Sequence, residues 1–350
     1  MKNSTLATLA LLACAAAPST EAQVKWHPGH YVKLNAGGTQ AEHFRHIDEV
    51  GREPVLKGVE LYVWWYEIER SKGVYDFSRI DAILGKLKSL PVRKQLVVRV
   101  MDRRFGTTSK TAIVPNYLLN EPIYKGGVAF QDVNMAGYVA RLWEAPVMDR
   151  LIALYRALGM RYDPNPYVEG FATEETTLSI SVNKSTTPAG YSAASLLKQY
   201  LRFAAAARQT MPHSNIFMGT NFIGGEANMG TLIQALHDSD LAAGGPSTIP
   251  NRLLESQKVW TGVTGADYRG AIAIGPGVET AVFGGKHGNY SPKQVADWAY
   301  QNLGVTHLFW VRNTWTGSDA QRWSTGILPT LRTNPPTRTA CPRVYGLCAK

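Results

Sequence analysis

Eight short, β-rich apolar runs separated by amphipathic stretches constrain this chain more than any other feature. The runs cover residues 30–34, 59–65, 95–101, 167–173, 215–221, 241–245, 271–274 and 307–311. Between them, apolar residues recur at three- and four-residue spacing over 80–90, 139–158, 193–208, 230–237, 253–259 and 292–302, which predicts helices. Strands alternating with helices build a parallel sheet covered by helices, and eight such repeats close a (β/α)8 TIM barrel. The competing architecture is an open doubly wound sheet, because Gly and Pro crowd 242–246 and 275–277 and read equally well there as loops. Against it, Asn35-Ala36-Gly37-Gly38 lacks the spacing of the dinucleotide fingerprint. The sequence also has no P-loop, no Gly-x-Ser-x-Gly elbow and no His-Glu-x-x-His zinc helix.

A barrel of this type needs about 250 residues, and the chain has 350, so one large domain accounts for most of it. With 45% apolar and 18% charged residues it has the means to bury a core. Residues 1–22 read as an export signal: Lys2, an apolar run over 6–17, and Thr20-Glu21-Ala22 before the expected cleavage. The rival reading is lipidation of Cys14 in Leu11-Leu12-Ala13-Cys14. Either places the mature protein in the periplasm or outside the cell, and no later apolar run reaches the roughly 20 residues of a membrane span. The barrel is then assigned to 23–333 and a Pro-rich tail to 334–350. In an oxidising compartment Cys341 and Cys348 are expected to form a disulfide, the alternative being two free surface thiols.

The formal charge of +10 attracts anions. The chain carries no zinc-finger spacing, basic heptad helix or aromatic ribonucleoprotein motif, so nucleic acid is not expected as a partner. The charge instead fits an acidic polysaccharide or plain solubility. His43 and His46 lie on an expected helix without a third ligand, and neither a metal nor a cofactor is predicted.

Barrel active sites are assembled where the strands end at their C-termini. That rule selects Trp64, Trp65, Tyr66 and Glu67 after the second run, and Asp102, Arg103 and Arg104 after the third. Glu174 and Glu175 follow the fourth run, with Asn221, Glu279, Trp310, Arg312, Asn313 and Trp315 at later ends. Carboxylates together with aromatic rings suit a sugar, which offers an apolar face to stack and hydroxyls to bond. Trp64, Trp65, Asp102, Arg103, Asn221, Trp310 and Trp315 are therefore the expected carbohydrate contacts, although each Trp reads equally well as core. Arg99, Arg103 and Arg104 balance barrel carboxylates or hold an anionic sugar.

The segment Trp65-Tyr66-Glu67-Ile68-Glu69-Arg70-Ser71-Lys72-Gly73-Val74-Tyr75-Asp76-Phe77 resembles the stretch of clan A glycoside hydrolases where a strand ends in Trp, a tight turn follows and Tyr-Asp-Phe opens a helix. Arg70 stands where those proteins usually have Pro. Glu69 and Asp76 read as structural, with Gly73 supplying the turn and Asp76 or Ser78 the helix cap. The resemblance implies a cofactor-free, retaining hydrolase with its acid/base after the fourth strand and its nucleophile after the seventh. On this chain those positions fall on Glu174 or Glu175 and on Glu279. Glu174 is preferred because Ala172 then faces the barrel and Phe171 the helices. Thr173 replaces the family's Asn before the acid and is expected to bond a sugar hydroxyl. Asp102 is the alternative second carboxylate, implying inversion, and Glu60, Glu67 and Glu169 are lesser substitutes. The competing function is a barrel that binds carbohydrate without cleaving it.

Overall fold

The computed structural model describes residues 23–350 apart from 134–135, 247, 251–267, 286–287 and 313–321. Eight parallel strands close into a barrel in sequence order: β1 (Gly29–Leu34), β2 (Leu56–Trp64), β3 (Gln95–Met101), β4 (Val168–Glu175), β5 (Asn215–Gly219), β6 (Ala242–Gly245), β7 (Ile274–Val278) and β8 (His307–Trp310). The ring is completed by β8 against β1, where Phe309 stands opposite Tyr31 and Trp310 opposite Val32. Helices α1 (Gln40–Arg52), α2 (Ser78–Lys88), α3 (Ala145–Tyr162), α4 (Ala193–Thr210), α5 (Glu226–Asp238), α6 (Pro292–Trp298) and α7 (Leu328–Arg332) surround it. The helix expected over 253–259 lies outside the described residues.

Successive strand residues point to opposite faces, which divides the apolar residues between two cores. Val59, Val63, Val98, Phe171, Ile216 and Trp310 pack outward beneath the helices. Tyr31, Val97, Ala172, Phe217, Ala242, Ala273 and Phe309 fill the barrel interior. This alternation fixes which residue at each strand end points into the mouth.

The seventh strand lies three residues later than expected and runs through Gly275-Pro276-Gly277. Those residues read as a turn in the sequence, but their role is spatial. A Cβ on Gly275 would sit 2.6 Å from Phe217 and 2.9 Å from Phe309, so the two rings occupy the room a side chain would need. The expected helix over 139–158 is also corrected, since it begins at Ala145 with Pro146 in its first turn. Residues before it form a three-stranded antiparallel sheet of Arg103–Phe105, Gly137–Ala140 and Val128–Gln131, inserted between β3 and α3.

The opposite end of the barrel is closed by the two ends of the described chain. Val24–Lys25 pairs in parallel with Cys348–Ala349, and Cys341 and Cys348 form a disulfide. Trp26 and Tyr345 pack from there onto the interior core. Among them Glu169 is fully buried, accepting from the His27 and Asn215 side chains and the His27 backbone and meeting His307 at 3.2 Å. Burial opposes its charge, yet the bonds to His27 and His307 prevail and hold its carboxyl near 2.

The turn after β2 is organised by Glu69, which is also fully buried. It accepts from Trp65 Nε1 at 2.8 Å, from Gly73 N at 3.0 Å and from the Tyr117 hydroxyl at 2.9 Å, and it pairs with Arg150. Gly73 takes φ +76°, a left-handed value that glycine adopts without penalty. Asp76 accepts from Ser78 N at 3.0 Å at the start of α2. Both acids serve the structural parts the sequence assigns them.

Two glycine substitutions test this packing. Gly275→Ala is expected to destabilise the protein by about 1–3 kcal/mol, the usual cost of overpacking a core. Gly85→Ala, on exposed α2 surface where a Cβ meets nothing within 4 Å, is expected to stabilise it by roughly 0.5–1 kcal/mol. Urea midpoints of the two variants check the contrast, and equal effects would contradict it.

Candidate active site

Five strands carry polar residues to the same, C-terminal end of the barrel. β1 contributes Lys33, two residues beyond inward Tyr31, and β2 contributes Glu60, Tyr62 and Trp64 at alternating positions. β3 contributes Arg99, two residues beyond inward Val97. On β4 the register against β5 shifts between Ala172 and Glu175, so Glu174 and Glu175 stand at an irregular strand end where Glu175 pairs with Gly219. Glu279 continues the inward series of Gly275 and Gly277 immediately after β7.

Charge balance links these groups across the interior. Arg99 donates from Nε to Glu60 Oε1 at 2.7 Å and from Nη1 to the Thr173 carbonyl. Its guanidinium lies 5.4 Å from the Tyr62 ring centre, and Lys33 Nζ lies 5.7 Å from the same ring. Lys33 donates to Glu279 Oε1. The Lys33 side chain is 4% exposed and that of Glu279 39%, so the pair runs from the interior to the open mouth. Burial works to discharge Lys33, but Glu279, Tyr62 and Glu60 together outweigh it and raise the ammonium above its ordinary range. Gly277 makes room for the pair: a Cβ there would lie 2.5 Å from Lys33 Nζ.

Glu174 is in a different situation. It is 8% exposed, and its nearest cation is Arg103, whose Nε lies 3.7 Å from Oε2. Burial pushes its carboxyl up to about 7; Arg99 and Arg103 pull against that shift while Asp102 and Glu175 add to it. Glu175, half-buried on the next register position, accepts from Asn221 Nδ2 at 2.8 Å.

The structure places the other expected residues as follows. Asp102 and Arg103 are 3% and 1% exposed and bonded to each other at 3.3 Å. Arg103 also donates to the Thr177 and Glu175 carbonyls, so it holds the loop after β4 and faces Glu174 instead of a ligand. Burial raises the Asp102 carboxyl, against the pull of Arg103. Trp64 is half-buried at the mouth, with Arg104 5.6 Å from its ring centre. Trp65 and Trp310 are corrections to the sugar-facing set. Both are fully buried, Trp65 bonded to Glu69 and Trp310 donating to His30 Nδ1 at 3.0 Å beneath the helices. Trp315 lies outside the described residues.

Thr173 also differs from expectation. Its hydroxyl donates to the Glu174 carbonyl at 2.9 Å and accepts from Gly219 N at 3.0 Å, so it ties β4 to β5. Among the lesser carboxylates, Glu60 is engaged by Arg99, Glu67 by Arg79 at 3.1 Å, and Glu169 lies at the far end of the barrel. Lys33 escaped the sequence reading, although its two-residue step from Tyr31 in β1 was a usable signal. His43 Nε2 lies 3.0 Å from the Asn35 carbonyl. Among the described residues no group of three or more His, Cys, Asp or Glu is arranged to hold a metal.

A buried carboxyl raised to about 7 and a carboxylate paired with a buried lysine, both at C-terminal ends of barrel strands, are groups able to give a proton and to offer an electron pair. No family model and no curated protein matches the sequence. Solved structures do match the fold. The catalytic domain of β-amylase from Paenibacillus polymyxa superposes with a TM-score of 0.58 at 10% identity, covering 90% of this chain and all of that one. Endo-glycoceramidase II from Rhodococcus sp. gives 0.52 at 13% identity, covering 89% and 80%. GH5_18 from Streptomyces cattleya, solved with GlcNAc, gives 0.52 at 11% identity, covering 90% and 82%.

The position of Glu174 carries a measurable cost. Between the ordinary carboxyl pKa and about 7 the native state holds a proton that the unfolded chain has released, so stability falls as pH rises through that window. Glu174→Gln is therefore expected to gain on the order of 2–3 kcal/mol over wild type at pH 8 and almost nothing at pH 4. Denaturation at both pH values checks this, and an equal difference at both would contradict it. With closure in sequence order and strand ends assembled as described, the chain has a (β/α)8 barrel fold, the fold it shares with these solved structures.

Proposed function

We propose that this protein is a glycoside hydrolase in which Glu174 is the acid/base and Glu279 the nucleophile. The observation that carries the reading is the contrast between the two carboxyls at the strand ends: burial pushes one up to about 7, and the other is paired with a buried lysine. In the first step Glu174 protonates the glycosidic oxygen while Glu279 attacks the anomeric carbon, forming a glycosyl ester as the leaving alcohol departs. In the second, Glu174 takes a proton from water, which attacks the same carbon and releases Glu279. Lys33 positions Glu279, and Arg99 and Arg103 keep the charge on Glu174 tolerable once its proton has been given up.

Trp64 supplies an aromatic face to the sugar, and the substrate is an oligosaccharide or polysaccharide. The Cys341–Cys348 bridge supports a periplasmic or secreted location, and no helix among the described residues is long and apolar enough to cross a membrane. A second reading, carbohydrate binding without cleavage, is favoured by one observation. Thr173, which stands in place of the family's Asn, has its hydroxyl engaged by the β4–β5 backbone.

Hydrolysis of a broad panel of oligosaccharides and polysaccharides, followed by reducing-end release, tests the proposal. Wild type is expected to cleave at least one member, with kcat/KM falling above about pH 7 as Glu174 loses its proton. Glu174→Gln and Glu279→Gln should each lower that rate by at least about a hundredfold. Retained binding with no cleavage across the panel would establish the second reading instead.

A further inference from the structure

The inserted sheet between β3 and α3 has two unlike faces, and its register defines them. Arg103, Val139 and Ala129 stand opposite one another and are buried at 1%, 0% and 5%, forming the inner face. One residue along, Arg104 stands opposite Tyr138 and Tyr138 opposite Phe130. Directly opposed residues share a face, so these three side chains form a row on the outer surface. Arg104 is exposed, Tyr138 half-buried and Phe130 45% exposed. The Phe130 and Tyr138 rings meet edge to face at 5.4 Å between centroids.

This row begins in the mouth of the barrel. Trp64 has the inward parity of Glu60 and Tyr62, and Arg104 lies 5.6 Å from its ring centre. Tyr66 continues the aromatic surface on the other side of Trp64, with ring centres 6.4 Å apart. The two ladder steps from Arg104 to Phe130 add about 4.8 Å each. The result is an unbroken track, Tyr66–Trp64–Arg104–Tyr138–Phe130, leading from the inward-facing end of β2 out across the insertion.

Its charge is positive. Lys110 Nζ lies 6.0 Å from the Tyr138 ring centre, and neither Arg104 nor Lys110 forms an ion pair among the described residues. The acid Glu67 is paired with Arg79, whereas exposed Asp132, two residues beyond Phe130, keeps its negative charge while accepting from Ser181 N at 2.7 Å, so the positive stretch is the part from Arg104 to Lys110 and Tyr138. Rings spaced along a line bind the apolar faces of consecutive sugars, and unpaired cations between them select sugars that carry carboxylate or sulfate.

We infer that this track is a binding platform for an anionic polysaccharide, continuous with the barrel mouth, which holds a chain whose one end or internal linkage lies at Glu174. The inference rests on the carbohydrate reading of the mouth, and its test uses binding alone so that it stands apart from hydrolysis. In the Glu174→Gln background, polygalacturonate, heparin and the neutral glucan dextran are titrated by calorimetry or affinity electrophoresis. At least one of the two polyanions is expected to bind, with affinity falling as salt rises, and dextran is expected to bind at least about tenfold more weakly. Phe130→Ala combined with Tyr138→Ala, and separately Arg104→Gln, should each weaken polyanion binding by about tenfold. Met160→Ala, an equally apolar change at a 78% exposed position on α3, should leave it unchanged.

Matching melting temperatures among the variants confirm that folding is retained. Polyanion binding that is indifferent to both track variants, binding of dextran as tight as that of the polyanions, or no binding of any of the three overturns the platform. Cleavage of short oligosaccharides by wild type, measured separately, would leave the hydrolase reading standing in each of those cases.

Discussion

Charges that point into a closed barrel must neutralise one another, because the surrounding strands leave little water to do it. Here Lys33, Arg99 and Arg103 face Glu60, Glu174, Asp102 and Glu279, and the match is uneven by position. Glu60 and Glu279 each receive a cation directly, whereas Glu174 has its closest at 3.7 Å and keeps its proton near neutral pH. Arg99 links the groups, since it bonds Glu60, acts on Glu174 and shares the Tyr62 ring with Lys33. The asymmetry between Glu174 and Glu279 is a property of this whole set.

Space for that set comes from small residues on the far side of the interior. β4 to β7 present Gly170, Ala172, Ala242, Gly244, Gly275 and Gly277. Several could not carry a Cβ: the one on Gly170 would lie 2.0 Å from the Asn215 carbonyl, and the one on Gly277 would meet Lys33. Large rings on β1, β5 and β8 (Tyr31, Phe217 and Phe309) fill the interior below the mouth, and the two ends of the described chain, with the Cys341–Cys348 disulfide, close the opposite end. Packing beneath and charge above thus divide the barrel into a part that holds the fold and a part free for chemistry.

Where the sequence was legible, the reason was local. β1 to β5 and β8 announce themselves through β-branched and aromatic runs, whereas β6, Ala242-Ala243-Gly244-Gly245, carries neither; Glu69 and Asp76 show through turn chemistry. The expected alternation of Phe171 toward the helices and Ala172 toward the interior is what the two cores reproduce, but the register shift after Ala172 keeps it from reaching Glu174 and Glu175. Where it failed, the deciding contact was distant in the chain. Gly275-Pro276-Gly277 looks like a turn until Phe217 and Phe309 are seen to need its emptiness. Trp310 looks like a sugar contact until its parity with inward Phe309 turns it toward His30. Strands 128–131 and 137–140 carry no signal apart from their pairing with the residues after β3, so the start of α3 was misplaced with them.

The central claim is that burial raises the Glu174 carboxyl to about 7 at the same end of the barrel as an ion-paired Glu279. Titration of the Glu174 side-chain carbon by 13C NMR, assigned by comparison with Glu174→Gln, tests it directly. A midpoint near 7 is the predicted result, and a midpoint in the ordinary carboxyl range, about 4.3, would contradict the account.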